Sequence, residues 1–225
     1  MRFYLILLGV LFSCVLSAQA DSSTLQFYIG LNAHAVLTHP GPVPYAEGHA
    51  AIRRDAWELG VSYGRVVRGR FFLENDISNP SGSAWRAKLT YSFLRDESPR
   101  SLIWVYGGYE FGYLEQRYTK SHDWIEQTAS NDSGRAILRY DEAVIRWQTN
   151  EHFGTIGTQI RLWEQLFFDI SAGIGVQRIA ISHTAVNLRP DNLHWLEGWV
   201  LETDRTTGTR YRAWPATRVT IGYCF

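Results

Sequence analysis

The C-terminal stretch of the chain alternates between two classes of residue without a break. One set of alternate positions is mostly apolar: Tyr211, Ala213, Pro215, Thr217, Val219, Ile221, Tyr223 and Phe225. The other set carries Arg210, Arg212 and Arg218. Successive side chains of a β-strand point to opposite faces, so the pattern predicts a strand over 209–225 with one apolar and one cationic face. Such a strand suits a fold in which its two faces meet different environments.

The same alternation recurs along the chain, in segments bounded by residues that favour turns. The predicted strands cover 24–37, 54–66, 70–78, 84–94, 101–118, 153–163, 166–182 and 209–225. An even number of such strands in one unit predicts an all-β fold, an eight-stranded antiparallel up-and-down barrel. We expect this barrel to occupy residues 21–225 as a single domain.

Charged residues fall on the face opposite the apolar one. This set comprises Glu58, Glu74, Arg86, Lys88, Glu110, Arg161, Asp169, Arg210, Arg212 and Arg218. A soluble barrel would place its apolar side chains inside, whereas a transmembrane barrel turns them towards lipid and keeps a polar interior. Charges of both signs on the inner face predict a paired network in the lumen. The alternative is a soluble periplasmic sandwich or lipocalin-like barrel.

The predicted connections differ between the two ends of the barrel. One end has the short turns 67–69, 95–100 and 164–165. The other end has 38–53, 79–83, 119–152 and 183–208, and three of these are long. Short turns at one end and long loops at the other are typical of outer-membrane barrels. We therefore expect loops 38–53, 119–152 and 183–208 to lie outside the cell.

The long loops contain aromatic residues that are candidates for an interaction surface. They are Trp124, Trp147, Trp195 and Trp199. Exposed binding surfaces are enriched in tryptophan, tyrosine and arginine. The alternative is that strands extend beyond the membrane, with the alternation from Arg139 to Ile145 continuing a sheet. The sequence leaves both interpretations open.

The N-terminal residues are typical of an export signal. Arg2 provides a positive start, residues 3–16 are largely apolar, and Ala18-Gln19-Ala20 fits a cleavage site. We expect residues 1–20 to be a cleaved signal peptide and the protein to reach the outer membrane. If Cys14 leaves with that peptide, Cys224 is the one cysteine that remains, which excludes an intramolecular disulfide.

Composition and motifs exclude several function classes. The chain has 22 Lys+Arg against 22 Asp+Glu, a balance that argues against a nucleic-acid partner. Metal-ligand spacings and a phosphate-binding glycine loop are both missing, so we predict no metal and no cofactor. The run from Gly60 to Gly64 matches G-x-S-x-G, but the catalytic motif needs a strand–turn–helix context and this one lies within a predicted strand. We therefore assign no catalytic residue.

With these features the chain resembles the small eight-stranded outer-membrane barrels of Gram-negative bacteria, the OmpA/OmpX-like group. The resemblance rests on Ala18-Gln19-Ala20, on the alternating strands and on the closing stretch Val219–Phe225. It implies that Tyr223 and Phe225 belong to the signal read by the barrel assembly machinery. It also implies contact with membrane lipids and lipopolysaccharide. This group holds structural, adhesive, small-pore and lipid-modifying members, so the resemblance implies no single activity.

The function that we expect is a structural or loop-mediated interaction role without an open pore, with an extracellular protein or surface ligand as a possible partner. Eight strands leave little lumen. One alternative is an enzyme that modifies outer-leaflet lipid, with loop residues such as Ser121, His122 and Asp123. Another is a carrier of small hydrophobic molecules. Closure leaves no free strand edges, so we expect a monomer.

Overall fold

The computed structural model of the protein describes residues 25–32, 45–67, 77–98, 101–128, 135–162, 165–190 and 207–225. These residues form strands and no helix. The strands are β1 (Leu25–Asn32), β2 (Tyr45–Arg54), β3 (Trp57–Val66), β4 (Ile77–Ser98), β5 (Ser101–Ser121), β6 (Trp124–Thr128), β7 (Arg135–Arg139), β8 (Glu142–Leu162), β9 (Leu166–Val186), β10 (Arg189–Pro190) and β11 (Gly208–Cys224). The predicted signal peptide, residues 1–20, lies outside the described residues.

Eight of these strands close into a ring. Their order is β1-β11-β9-β8-β5-β4-β3-β2, and every neighbouring pair is antiparallel. The ring closes where β1 meets β11, with Tyr28 opposite Cys224 and Asn32 opposite Thr220. The predicted eight-stranded antiparallel up-and-down barrel is thus confirmed. The strands β10, β7 and β6 form a separate small sheet in that order.

The sequence missed one barrel strand. Residues 45–53, predicted as part of a loop, belong to β2, which pairs with β3 through a tight hairpin at Asp55 and Ala56. The outward positions of β2 include Ala46, Gly48 and Ala50, so the strand has no large apolar stripe to signal it. Asp55 turns the chain with a φ of 57°, a left-handed conformation that aspartate tolerates better than most residues.

Two further predictions in this region are wrong. Residues 79–83 were predicted as a turn, but they lie inside β4, where the pairing with β5 shifts between Ser78 and Ser81. Asn79 has a φ of 51° there, so the turn-forming residues produce a bulge and the strand continues. The short hairpin at 55–56 joins β2 to β3, so β3 ends at Val66 at the opposite end of the barrel, which has the long connections. Residue 67 therefore begins one of the long connections, and 67–69 is not a short turn. Of the predicted strand 70–78, residues 77–78 begin β4 and 70–76 lie outside the described residues.

The long connections are shorter than predicted because strands extend into them. Residues 119–121 complete β5, 142–152 begin β8, and 183–186 complete β9. Of the alternating stretch from Arg139 to Ile145, residues 142–145 belong to β8, whereas Arg139 ends β7 in the separate small sheet. At one end the barrel strands are joined by 55–56, 99–100 and 163–165, and at the other by 33–44, 67–76, 122–141 and 187–207. The predicted asymmetry between short turns and long connections holds. Among the described residues, no helix is long and apolar enough to cross a membrane.

The side chains inside the ring form three tiers. The lower plug, near the short turns, contains Tyr28, Ala51, Phe167 and Cys224. The central charge network, above it, contains Glu47, Arg86, Lys88, Glu110, Glu151, Asp169 and Arg218, all buried. The upper apolar core, nearest the long connections, contains among others Leu114, Tyr118, Ile145, Trp147 and Ile179. An apolar cluster therefore lies on each side of the central charge network.

Candidate functional site

Arg86 is the centre of the central charge network. Its guanidinium forms ion pairs with Glu47 and, at 3.3 Å, with Glu151, and its Nε lies 3.7 Å from Glu110 Oε1. Glu110 is fully buried and also accepts a hydrogen bond from Arg218 Nη1. Three acidic side chains thus surround one arginine, and a second arginine balances the charge of Glu110. Paired charges with several hydrogen bonds are the form in which ions are tolerated in an interior.

A second buried pair lies beside this cluster. Lys88 Nζ is 2.9 Å from Asp169 Oδ2 and donates a hydrogen bond to Tyr106 Oη at 2.6 Å. Tyr106 in turn donates its hydroxyl proton to Asp169 Oδ1 at 2.5 Å. The three side chains form a closed triangle of hydrogen bonds between β4, β5 and β9. Such a triangle fixes these strands relative to one another across the lumen.

The other predicted lumen residues lie at different heights. Glu58 forms a buried ion pair with Arg53 at 2.6 Å in the lower part of the barrel. Arg161 lies 5.4 Å from the ring centre of Trp104. Nearer the long connections, Arg212 donates to Gln177 Oε1 at 2.8 Å, and Arg210 faces the Trp147 ring. Glu74 lies outside the described residues.

Sequence reasoning missed several buried polar residues of the interior. They are Glu47, His49, Arg53 and Glu151. Glu47, His49 and Arg53 alternate with small or apolar residues on β2, so a search that accepted alanine and glycine as outward residues could have found them. The sequence predicts a loop at Glu151 because the predicted strand starts at residue 153, whereas β8 begins at Glu142. Glu151 receives a hydrogen bond from Gln177 Nε2 at 2.8 Å.

A small cavity lies within the central charge network. It is lined by His49, Ser62, Lys88, Asp169 and neighbouring side chains, and its volume is about 10 Å³. A cavity needs about 10–15 Å³ on this scale to hold one water molecule. Above it, Leu114, Tyr118 and Trp147 are completely buried in the upper apolar core. The cavity in the central charge network is therefore no larger than about one water molecule.

The G-x-S-x-G match has a packing role in this interior. Gly60, Ser62 and Gly64 all face inward on β3, as predicted. A Cβ atom on Gly60 would come within 2.7 Å of the His49 imidazole, and one on Gly64 would collide with the Glu47 side chain. Ser62 Oγ lies 3.0 Å from His49 Nδ1, but both groups are enclosed in the cavity just described. The small residues on β3 make room for the two large polar side chains of β2.

The outer wall changes its character part-way along the strands. On β9 the outward residues are Leu166, Phe168, Ile170, Ala172, Ile174 and Val176, and the next outward residue is Arg178. On β5 the outward Tyr109, Phe111 and Tyr113 are followed by Glu115 and Arg117. The inner face changes in the opposite sense, from Glu110 to Leu114 on β5 and from Gln177 to Ile179 on β9. On β5 and β9, the inner and outer faces thus exchange polarity part-way along the strand.

We call the apolar part of the outer wall, which on β9 extends from Leu166 to Val176, the apolar band. Aromatic residues lie near both of its limits. Trp57 packs on Tyr91 near the short turns, with ring centres 4.9 Å apart, and Tyr223 packs on Phe225 at the same distance. Tyr63 is paired opposite Trp85 near the polarity change. The two residues of the predicted assembly signal, Tyr223 and Phe225, are exposed on the outer wall.

One of the four tryptophans of the predicted loop surface lies inside the barrel. Trp147 lies within β8, is fully buried and donates its indole proton to Thr149 Oγ1 at 2.8 Å, so its assignment to an exposed loop surface is wrong. The reason is that β8 begins at Glu142, so Trp147 is one of the alternate residues of this strand that face inward. Trp124 begins β6 and pairs with Arg139 of β7. Trp195 and Trp199 lie outside the described residues.

A polar contact joins the two structured connections at the loop end. Asp141 accepts hydrogen bonds from Asn187 Nδ2 at 2.9 Å and from Arg189 Nη2 at 2.6 Å. The hydrogen bond from Asn187 is the main reason that the pKa of Asp141 lies below its ordinary value of 3.8, and Arg189 lowers this pKa further. Asp141 therefore fastens β10 and the small sheet to the top of β8. We call β6, β7 and β10 the loop-side platform.

Among the described residues, no group of three or more His, Cys, Asp or Glu side chains has the arrangement of a metal site. Asp123, a candidate for lipid chemistry, forms an ion pair with Lys120 at 2.7 Å, and His122 turns the chain with a φ of 57°. The chain matches no protein-family model, no curated protein and no solved structure.

Proposed function

We propose that the protein is an integral barrel of the bacterial outer membrane, closed to ions, with a structural or interaction role carried by its loop end. The observation that carries this proposal is the exchange of polarity between the two faces of the wall. In water a barrel has a polar exterior and an apolar interior, and in lipid the arrangement is reversed. On β5 and β9 the wall has the lipid arrangement below the level of Arg178 and the aqueous arrangement above it, whereas β11 keeps Arg210 and Arg212 on the inner face near that level.

The height of the apolar band supports the proposal. Leu166 to Val176 on β9 extends over about 33 Å at about 3.3 Å per residue. A strand tilt of about 40° reduces this to about 25 Å along the barrel axis, which is the usual height of the apolar belt in outer-membrane barrels. Exposed charges follow on both sides, Arg178 above the band and Arg54, Arg95 and Asp96 at the short turns.

The packed interior supports a closed barrel. Charges of both signs bind each other across the lumen, and an apolar cluster lies above and below the central charge network. The cavity of about 10 Å³ is also too small for a hydrophobic ligand, so it lends nothing to the carrier alternative. The loop-side platform, held on β8 through Asp141, is the part of the described chain that would meet a partner outside the cell.

Two measurements test the proposal. An outer-membrane fraction is isolated and the protein is run on a gel with and without boiling. A folded membrane barrel migrates faster when unboiled, and a soluble protein without this shift would refute the membrane assignment. The purified protein is then added to a planar bilayer. We expect negligible conductance, and stable, reproducible channels would refute the closed interior while leaving the membrane assignment intact.

The proposal also extends the resemblance to the OmpA/OmpX-like group. The ring of eight up-and-down strands is compatible with that group. The export signal over 1–20 and the assembly signal at Tyr223 and Phe225 belong to the same proposal. Replacing Phe225 with alanine should slow assembly, measured as the fraction of heat-modifiable protein after pulse labelling, whereas unchanged assembly would remove Phe225 from the signal.

A further inference from the structure

The outer wall carries arginines directly above the aromatic residues near the polarity change. Arg65, Arg117, Arg146 and Arg178 are all exposed and point outward. Arg65 Nε donates to Tyr63 Oη at 3.2 Å, so one of these guanidiniums is tied to an aromatic residue of the band itself. Exposed arginines at this level of the wall lie where the headgroups of the loop-side leaflet would be.

Two of these arginines oppose each other across the β5–β8 pair. Arg117 and Arg146 are direct cross-strand partners in the register. Residues so paired on one face have Cβ atoms only about 4.5–5.5 Å apart, and like charges in this position are destabilising. Glu115 binds Arg146 at 2.6 Å and neutralises one of the two charges. Arg117 forms no ion pair with any residue in the described part of the chain.

We infer that Arg117 and Arg146 form a binding site for a phosphate-bearing lipid headgroup in the loop-side leaflet. The inference rests on the proposed function and names a lipid partner for it. Guanidinium groups bind phosphate through paired hydrogen bonds, and an anion between two opposed guanidiniums removes their repulsion. The lipid chains would lie against the apolar band below, beside Phe111 and Tyr113 of β5. The wall thus offers charge and apolar surface in the order that an anionic lipid presents them.

The experiment uses the full-length protein in maltoside detergent and counts bound lipid by native mass spectrometry. The probes are lipid A, the same lipid after enzymatic removal of its phosphates, and inorganic phosphate. We expect lipid A to bind and the dephosphorylated lipid to bind about tenfold more weakly. In the Arg117→Gln, Arg146→Gln double variant, lipid A should also bind about tenfold more weakly. Arg54→Gln removes an exposed arginine at the opposite end and should leave binding unchanged.

Each other outcome decides against the site. Equal binding of lipid A by the wild type and the double variant would overturn it, as would equal binding of lipid A with and without phosphates. Inorganic phosphate that displaces lipid A completely would show a site for a free anion, not for a lipid. A dimer that is lost in the double variant would assign the two arginines to a protein interface. If the double variant fails to fold, the single variants Arg117→Gln and Arg146→Gln replace it, and binding of lipid A equal to that of the wild type in both would overturn the site. Heat-modifiable migration is scored separately, so failure of the membrane proposal remains distinguishable.

Discussion

Glu110 provides the sharpest test of the packed interior. Its carboxylate is fully buried and is the acidic partner of Arg218, while Arg86, its other neighbour, also binds Glu47 and Glu151. Glu110→Gln would therefore leave the Arg218 guanidinium buried without a counter-charge. Breaking a buried ion pair on one side costs about 3–5 kcal/mol. With a urea dependence of about 2 kcal/mol per molar, the unfolding midpoint should fall by about 2 M.

The same strand provides a matched control. Glu115 is also on β5 and also pairs with an arginine, but its pair with Arg146 is exposed on the outer wall. An exposed pair contributes about 0–1 kcal/mol, so Glu115→Gln should lower the unfolding free energy by no more than that. The assay is reversible urea unfolding in phospholipid vesicles, followed by tryptophan fluorescence. The variants differ only in the face of β5 from which the charge is removed.

A double variant separates the lost charge from other effects of the substitution. Removing both partners, with Glu110→Gln and Arg218→Met, should recover most of the lost free energy because no unpaired charge remains. Equal costs for Glu110→Gln and Glu115→Gln, both below about 1 kcal/mol, would refute the reasoning. That result would mean that the interior is hydrated enough to behave as a surface.

Three further predictions follow from contacts described above. Gly60→Ala should lower the unfolding free energy by about 1–3 kcal/mol, because the added Cβ would clash with His49. Gly48→Ala is the control, since its Cβ would have its nearest neighbour 4.0 Å away and should cause no clash. Equal losses of unfolding free energy in the two variants would contradict the packing role of β3. In single-tryptophan variants, Trp57 and Trp85, which are 54% and 41% exposed, should be quenched by lipids spin-labelled near the headgroup, and quenching by aqueous acrylamide alone would contradict their lipid contact. Asn187→Ala should raise the pKa of Asp141 towards 3.8, measured by NMR titration of the carboxyl group. Because the pKa of Asp141 is depressed in the folded protein, its contact stabilises the loop-side platform above the unfolded pKa and is lost as the pH falls through the folded pKa. An unchanged titration would show that Asn187 is not the cause of the shift.

The predicted and observed strands differ most at two places, the hairpin between β2 and β3 and the bulge at Asn79. The hairpin between β2 and β3 has no glycine or proline at its turn, and Asp55 adopts the required conformation because the pairing of the strands imposes it. The bulge at Asn79 presents the reverse case, since residues that favour turns are held inside a strand by pairing with β5. In both places the tertiary pairing overrides the local preference of the sequence.

Alternation by itself determined the fold class and, in the strands that it identified, the face on which the charged side chains of the lumen lie. It placed Arg86, Lys88, Glu110, Asp169 and Arg218 inside because side-chain direction in a strand has a period of two residues. Which charges meet was decided only by the closed ring. Arg86 binds Glu47 and Glu151, which lie 39 and 65 residues away in the chain, because the register of β2, β4 and β8 brings them to one height in the lumen. The polarity change is visible on β5 and on β9 separately, but the relative height of the two changes is set by the register of the strands in the closed ring.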